Sequence, residues 1–433
     1  MKQKNDVTLQ PVHTHGYITK KRILGFTKVI VFLIILIICF EVVNNITKRK
    51  YSYEKTADFF SQEENFDVLF FGSSHMLNAV FPTQLWNDYG IVSYNMGNHS
   101  ETITISYYSM LLSLKETKPQ LVVVDAYAAV NKQKESTDSY LHTSLDIYPM
   151  SYTKYLAIKD IFSGKDELNN CFEYLFNFSL YHSRWNELTK EDFVISKDYE
   201  KGAESRIAVS TPNQVSNFEK VPVYDEEETV NMEYLRKVIE YCQKNNIEIL
   251  ITYLPYPATD TNIAISKYVK TMCDEYDVNY INFLSMDVVD YNTDCYDKDS
   301  HLNPSGARKV TDYLGKYIME NYDIPDQRQN EAYSFWYEDY DEYIDLKIEN
   351  LEKNKKNLNN YLMLLYGEED IKYEIKISSI RKINEGTTLY ELLKNLDNNY
   401  SIDDTAFEEN KNKTIKITTW DNRTGEEIDT VWF

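Results

Sequence analysis

The first apolar stretch of the chain is long and almost unbroken. Residues 23–43 read ILGFTKVIVFLIILIICFEVV, and only Lys28 and Glu41 interrupt them, each near an end. A stretch of this length and composition is typical of one transmembrane helix, and a buried core helix is the alternative. No small-residue cleavage site follows the stretch, which favours an uncleaved signal anchor over a removed signal peptide.

The charges around this span indicate its orientation. Lysines and arginines flank it on both sides, but Lys2 and Lys4 tip the count toward an N-terminus inside the cell. We therefore expect residues 1–22 to form a cytoplasmic tail and residues 44–66 to form a polar stalk. The rest of the chain would then be an extracytoplasmic domain on a single-pass protein of the cell membrane.

From residue 67 onward, short apolar runs alternate with segments of helical periodicity. The runs predict five strands, at 68–71, 91–95, 121–125, 247–253 and 278–283. The segments between and after them predict helices at 102–114, 233–244, 263–276 and 307–320. Strands that alternate with helices imply crossover connections, so we predict an α/β domain over 67–325. Its architecture would be a three-layer, doubly wound parallel sheet of the flavodoxin-like kind.

Two parts of the chain depart from this alternation. Residues 131–225 hold polar and aromatic helical pieces and predict a helical insertion, which is either a wall or lid of a substrate groove or a decorative subdomain. Residues 326–433 predict a C-terminal helix, amphipathic over 340–365, followed by a small α/β module. Within that module the pattern favours a helix at 388–395 and a hairpin around 422–425.

Composition narrows the class of function. The chain has 433 residues and a formal net charge of −22, and such acidity argues against a nucleic-acid-binding surface. Its five cysteines have no C-x-x-C spacing, so we predict no metal or redox motif and no cofactor. Cys242 and Cys273 would pair if their helices are adjacent; the alternative is two buried, unpaired thiols.

Candidate chemistry lies where predicted strands end. Ser74 closes a Gly-Ser-Ser turn after the first strand, and carboxyl ends of parallel strands share the edge of the sheet where sites form. A serine hydroxyl is a weak nucleophile until a base takes its proton. His301 is the base we predict, because Asp299 and Asp297 precede it by two and four positions and either could orient its ring. His99, after the second strand, is the rival base.

Such a serine would also need donors for a transition-state oxyanion. The backbone N–H of Ser74 is one candidate. The N–H of Gly97, after the second strand, is another, because a glycine allows close approach of substrate; a plain turn is the alternative role. The side chain of Asn98 is a third candidate donor.

These motifs resemble those of the SGNH (GDSL-like) hydrolase superfamily over roughly residues 67–325. The resemblance implies that Ser74 takes the place of the nucleophile in the family's Gly-Asp-Ser block. It also implies that Gly97 matches the oxyanion glycine of the second block, and that His301 matches the histidine of the final Asp-x-x-His block.

Two positions depart from the family pattern. Lys298 stands three residues before His301, so the acid is displaced to Asp299 or Asp297. The sequence Asp-Ala-Tyr at 125–127 stands where the family's Gly-x-Asn-Asp block would follow the third strand, so the oxyanion asparagine is missing or replaced.

Within the superfamily, a Gly-Ser-Ser motif behind an N-terminal anchor is similar to envelope proteins that move acyl groups on glycans. The D-alanyl transfer protein of teichoic acids and alginate O-acetylation proteins are of this kind. The resemblance implies an acyl-enzyme on Ser74, a cell-surface polysaccharide or teichoic-acid-like polymer as acceptor, and a membrane-bound O-acyltransferase as candidate partner. Two alternatives stay open: an esterase with the same residues, and a non-catalytic envelope protein that uses the fold for binding.

Overall fold

The computed structural model describes residues 15–48, 50–163, 173–175, 178–194, 197–212, 215–298, 301–378, 400–407, 410 and 412–433. Asp299 and the helix expected at 388–395 lie outside these residues. The chain divides into two compact units, one formed by 1–50 with 176–195 and the other by 51–175 with 196–433.

The helices and strands alternate along most of the second unit. The helices are α1 His15–Thr47, α2 Lys50–Ser61, α3 Ser74–Ala79, α4 Pro82–Tyr89, α5 Ile103–Ser113, α6 Asp138–Leu145, α7 Tyr152–Ile161, α8 Phe178–Tyr181, α9 Val230–Lys244, α10 Asp260–Glu275, α11 Pro304–Asn321, α12 Phe335–Asn354 and α13 Leu358–Leu365. The strands are β1 Val68–Phe71, β2 Ser93–Asn95, β3 Leu121–Asp125, β4 Glu248–Tyr253, β5 Asn279–Asn282, β6 Ile371–Ile377, β7 Tyr400–Ile402, β8 Ile415–Asp421 and β9 Glu427–Trp432.

Over the described residues, β1 to β5 form one parallel sheet in the order β2-β1-β3-β4-β5. The four residues of β1 are fully buried and alternate between two cores: Leu69 and Phe71 face one side of the sheet, and Val68 and Phe70 face the other. Helices α5, α9 and α10 cover the first side, and α4 and α11 cover the second. A strand that is buried on both faces has an unbroken apolar sequence, and such runs predict a parallel α/β fold. The structure confirms this prediction.

The C-terminal residues form a second, smaller sheet. Its order is β7-β6-β8-β9, with β6 and β7 parallel and the other pairs antiparallel. Leu351 of α12 and Leu362 of α13 pack against its buried face. Gly425 closes the β8–β9 turn with φ of +74°, a conformation that glycine adopts without steric cost.

The segment expected to be a polar stalk is helical over most of its length. It begins with the last turn of α1 and continues into α2, where Phe59 is only 2% exposed. Phe59 stacks on Phe66 and packs edge-on against Tyr94 of β2. Apolar contact of this kind makes the second half of the segment part of the α/β core.

In the first unit, the stretch Arg22–Thr47 of α1 is long and apolar enough to cross a membrane, with a mean hydropathy of 2.9. A membrane anchor and a signal sequence share this length and composition.

In the second unit, Cys242 and Cys273 are both buried free thiols, so the unpaired alternative holds for them.

Candidate active site

Ser74 lies at the carboxyl edge of the main sheet, as the first residue of α3. Ser73 caps this helix by accepting a hydrogen bond from the His75 N–H at 3.3 Å. Before it, Gly72 passes so close to β3 that an added Cβ would lie 3.0 Å from the Cβ atoms of both Asp125 and Met76. The Gly-Ser-Ser turn therefore fits tightly against β3 and the first turns of α3, and it places the hydroxyl of its last residue at the carboxyl edge of the sheet.

The structure brings Ser74, His301 and Asp297 into one hydrogen-bonded chain. The Nε2 atom of His301 lies 2.8 Å from the Ser74 Oγ, and its Nδ1 lies 2.5 Å from the Asp297 Oδ2. The His301 N–H also donates to the other oxygen of Asp297 at 3.1 Å. Both carboxylate oxygens thus fix the histidine, which has the geometry needed to accept a proton from the serine.

A pinned loop holds His301 in this position. Cys295 and Leu302 form an antiparallel bridge. Next to it, the Tyr296 N–H donates to the His301 carbonyl at 2.9 Å. Asn303 then caps α11 by accepting from the Gly306 N–H at 3.2 Å. The loop therefore runs from a fixed bridge directly into a capped helix, which leaves the imidazole little freedom.

Ser74 and His301 open onto a groove of about 980 Å³. Residues after β1, after β2, after β3 and from the start of the helical insertion contribute to it. Its described lining consists of Ser73, Ser74, His75, Ser100, Glu101, Thr102, Tyr127, Asn131, Lys132, Gln133, Glu135, Ser136, Thr137, Asp138 and His301. Residues 131–138 thus form one wall of the groove, and none of these lining residues is aliphatic.

The three candidate oxyanion donors are placed differently. The N–H of Ser74 belongs to the first turn of α3, where helical N–H groups have no intrahelical acceptor. The N–H of Gly97 instead donates to the Asn95 Oδ1 at 3.0 Å. The N–H of Asn98 donates to the Gly72 carbonyl at 3.0 Å, and its Oδ1 accepts from the next N–H of the chain. Gly97 and Asn98 do not line the groove.

The rival base His99 has a different partner. Its Nε2 lies 3.0 Å from the Glu204 Oε2, whereas the Nε2 of His301 faces the serine.

Glu101, two residues further along, is buried beside the groove and accepts from the Ser106 hydroxyl at 2.8 Å. Burial raises the pKa of Glu101 to about 7, so a second proton-exchanging group lies in the groove wall.

His75 directly follows Ser74 in the sequence, a position that does not make it the expected base, and its ring borders the site. Its ring stacks on that of Tyr127, meets Tyr256 edge-on and lies 5.6 Å from the ring of His301. Burial, and next the proximity of His301, lower the pKa of His75 well below its ordinary value of 6.5. Its position directly after the serine is a signal in the sequence, but the aromatic partners come from loops after β3 and β4.

Asp125, at the end of β3, replaces the block that the family pattern has there. It is 1% exposed, and one carboxylate oxygen accepts from the Leu254 N–H at 3.0 Å. The other oxygen has no hydrogen-bond partner among the described residues. Burial raises the pKa of Asp125 to about 7. The Cβ of Asp125 is also one of the two atoms that a Cβ at Gly72 would approach to 3.0 Å.

No group of three or more His, Cys, Asp or Glu side chains in the described part of the chain could hold a metal ion.

Comparison with known solved structures gives a remote likeness. No family model matches the chain, and no curated protein matches it. Among solved structures, it is similar to a protein from Desulfitobacterium hafniense DCB-2 described as lipolytic and of the G-D-S-L family. The identity is 12%, the TM-score is 0.31, and the match covers 58% of this chain and 99% of that one. A likeness at this TM-score is too remote to argue from, so the functional proposal rests on the geometry above.

Proposed function

We propose that this chain is a membrane-anchored serine acyltransferase or esterase that acts on O-acyl groups of cell-envelope glycans. The observation that carries the proposal is the hydrogen-bonded chain from the Ser74 hydroxyl through His301 to Asp297 at the mouth of an open groove. A nucleophile, a base and a group that orients the base are the parts that acyl transfer through a covalent intermediate requires.

The first half of the reaction forms an acyl-enzyme. His301 Nε2 takes the proton of Ser74 as Oγ attacks the acyl carbonyl carbon, and the carbonyl electron pair moves to its oxygen. Asp297 stabilises the imidazolium that results, and the Ser74 N–H donates to the oxyanion. When the oxyanion collapses, the bond to the leaving alcohol oxygen breaks and that oxygen takes the proton from His301.

The second half returns the serine. A hydroxyl of a sugar or polyol, or a water molecule, loses its proton to His301 and attacks the acyl carbon. The tetrahedral intermediate then expels the Ser74 Oγ, which recovers its proton from the same histidine. An alcohol acceptor makes the protein a transferase, and water makes it an esterase.

The groove lining favours a polyhydroxylated substrate with a short acyl group. Its described walls present hydroxyls, amides, carboxylates and the rings of His75 and Tyr127, and a long acyl chain would need aliphatic walls that these residues do not provide. Exposed hydroxyl and carboxylate side chains such as Thr137 and Asp138 match the hydrogen-bonding capacity of a sugar ring. A cell-surface polysaccharide or a teichoic-acid-like polymer has this chemistry.

The location is part of the same proposal. The apolar helix α1 would anchor the chain in the cell membrane with the groove outside the cell, where a membrane-bound O-acyltransferase could supply acyl groups. Protease shaving of intact cells tests the orientation. Residues beyond 50 should be digested, and their protection would reverse the topology.

A serine-reactive fluorophosphonate probe tests the chemistry. The wild-type chain should be labelled and Ser74→Ala should not, while Ser136→Ala, a matched change in the groove wall, should label normally. An aryl acetate then reports turnover with and without an oligosaccharide acceptor. Acetylated oligosaccharide in the products identifies transfer, and free acetate alone identifies hydrolysis.

One observation favours the alternative of a non-catalytic envelope binding protein. The N–H of Gly97, which the family resemblance makes an oxyanion donor, points instead to the Asn95 side chain. If neither wild type nor Ser74→Ala reacts with the probe and neither cleaves the aryl acetate, the binding alternative replaces the enzyme.

A further inference from the structure

A short segment far along the sequence belongs to the same compact unit as the apolar helix. Residues 178–194 comprise α8 and two turns of 3-10 helix, His182–Asn186 and Lys190–Phe193. Arg184 donates from Nη1 to the carbonyls of Thr47 at 2.9 Å and Lys48 at 2.6 Å. It thereby caps the C-terminal end of α1, where a cation is also favoured by the helix dipole.

A second contact fixes the segment nearer the middle of the helix. The ring of Phe178 lies 4.7 Å from that of Phe40, centroid to centroid. At a rise of 1.5 Å per residue, the two contacts span about 12 Å along α1. This interval begins about 5 Å inside the end of the apolar stretch, which closes at Val43, and extends beyond it. The segment therefore lies at the depth where acyl chains give way to headgroups.

Residues 178–194 expose large apolar side chains, and such exposure is unfavourable in water. Trp185 is 72% exposed, Phe193 64%, Val194 63% and Leu180 43%. The cation that caps the helix is balanced within the segment, because Arg184 also pairs with Asp192 at 3.0 Å. Exposed apolar side chains, a tryptophan among them, around internally paired charges are typical of segments that lie in a membrane interface.

We propose that residues 178–194 form a second membrane contact, a clamp that lies in the bilayer interface beside α1 with Trp185, Phe193 and Val194 in lipid. This inference rests on the proposed function, in which α1 spans the membrane. Lipid is the occupant because the exposed apolar surface is continuous with the lipid-facing surface of α1 at the same depth. The clamp would attach the α/β unit to the bilayer at two points of the sequence more than 130 residues apart.

Quenching of tryptophan fluorescence by brominated lipids tests the clamp. The full-length chain is placed in nanodiscs of zwitterionic phosphatidylcholine that carries bromine near the carbonyl end of its acyl chains. Of the five tryptophans, Trp86 and Trp336 are buried in the other unit. The quenched fraction should be present in wild type, lost in Trp185→Phe and retained in the matched control Trp432→Phe.

The clamp also predicts how the contact depends on charge. Residues 178–194 hold two basic and three acidic side chains, so the contact does not depend on anionic lipid: quenching should be present in phosphatidylcholine and should not increase in discs that contain phosphatidylglycerol. Arg184→Gln removes the cap on α1 and should reduce the Trp185 quenching while the protein stays in the disc.

Two results overturn the inference, and each differs from failure of the anchor. If the chain enters nanodiscs but Trp185 is quenched by aqueous iodide and not by brominated lipid, the segment faces water and the anchor stands alone. If quenching appears only in discs that hold two or more copies, the segment contacts another copy and not lipid. A chain that does not enter nanodiscs at all refutes the proposed membrane location itself.

Discussion

The imidazole of His75 stacks on the phenol ring of Tyr127, with ring centroids 3.6 Å apart and planes 20° from parallel. His75 directly follows Ser74, yet its ring is buried and neutral, whereas the ring of His301 reaches the serine hydroxyl. Two histidines thus stand beside one serine with different environments. One packs as an aromatic wall of the groove, and the other is placed to exchange protons.

Replacing His75 tests this division. We expect His75→Phe to keep the stacking on Tyr127 and to retain turnover of an aryl acetate within about 10-fold, whereas His301→Ala should lose at least roughly 10³-fold. Because the pKa of His75 is well below 6.5, it carries no charge between pH 6 and 8, and the acid limb of the rate profile should be unchanged in His75→Phe. A shifted acid limb would assign proton transfer to His75.

The acid that orients His301 gives a second prediction. Asp297→Asn should lower kcat by about 10²-fold or more, because an amide cannot stabilise the imidazolium and favours the wrong tautomer. Asp299→Asn is the matched control at the other acid of the loop and should stay within about 3-fold. Both changes remove one negative charge. Equal losses of kcat would therefore show that the charge of the loop, and not the contact between Asp297 and His301, makes His301 an effective base.

The positions of Ser74 and His301 could be predicted because each lies next to an element that the hydrophobic pattern defines. Parallel strands end at one edge, so a serine after β1 and a histidine before α11 are candidates for contact without knowledge of side chains. The choice between Asp297 and Asp299 could not be made in this way. Asp297 and His301 lie just inside the bridge between Cys295 and Leu302, and such a pairing does not follow from spacing.

Two other features depended on contacts that are distant in sequence. The polar composition of residues 44–66 favours a stalk, but Phe59 finds Phe66 and Tyr94 and becomes part of the core. The ring of His75 has its partners at Tyr127 and Tyr256, which lie beyond other strands. The pattern of apolar positions predicts which residues are buried. It does not predict which distant loops they contact.

The buried carboxyl of Asp125 predicts a pH-dependent stability. Burial raises its pKa from 3.8 to about 7, so the folded state binds a proton that the unfolded state has released. The stability it contributes is complete below about pH 4 and is lost as pH rises toward 7, at a rate of about 1.4 kcal/mol per pH unit. Above pH 7 its contribution no longer changes.

Asp125→Asn removes this titration. We expect the variant to gain stability relative to wild type as pH rises from 5 to 8, with little further change above that. Chemical unfolding in detergent, followed by tryptophan fluorescence at several pH values, measures the difference. Parallel curves for the two proteins would mean that the carboxyl titrates alike in the folded and unfolded chains.

We expect replacement of the buried Lys201 to cost more stability than replacement of the more exposed Lys197. It is 1% exposed, and its Nζ lies 2.6 Å from Asp58 of α2 and 2.5 Å from Asp339 of α12. Lys201→Met leaves both carboxylates buried without this cation, so we expect a loss of about 3–5 kcal/mol in the free energy of unfolding. Lys197→Met is the matched control. Its side chain also pairs with Asp339 but is 38% exposed, and its loss should be at most about 1 kcal/mol.

A further change separates an unpaired charge from lost packing. If the penalty of Lys201→Met comes from the carboxylates left behind, adding Asp58→Asn should restore part of the stability, because a neutral amide costs less to bury than an anion that has lost its cation. If loss of the contact between the Lys201 Nζ and the Trp336 ring, 4.8 Å from its centroid, is the cause instead, the second change should add its own loss to the first. Chemical denaturation of the four proteins as a double-mutant cycle decides between these outcomes through the sign of the coupling energy.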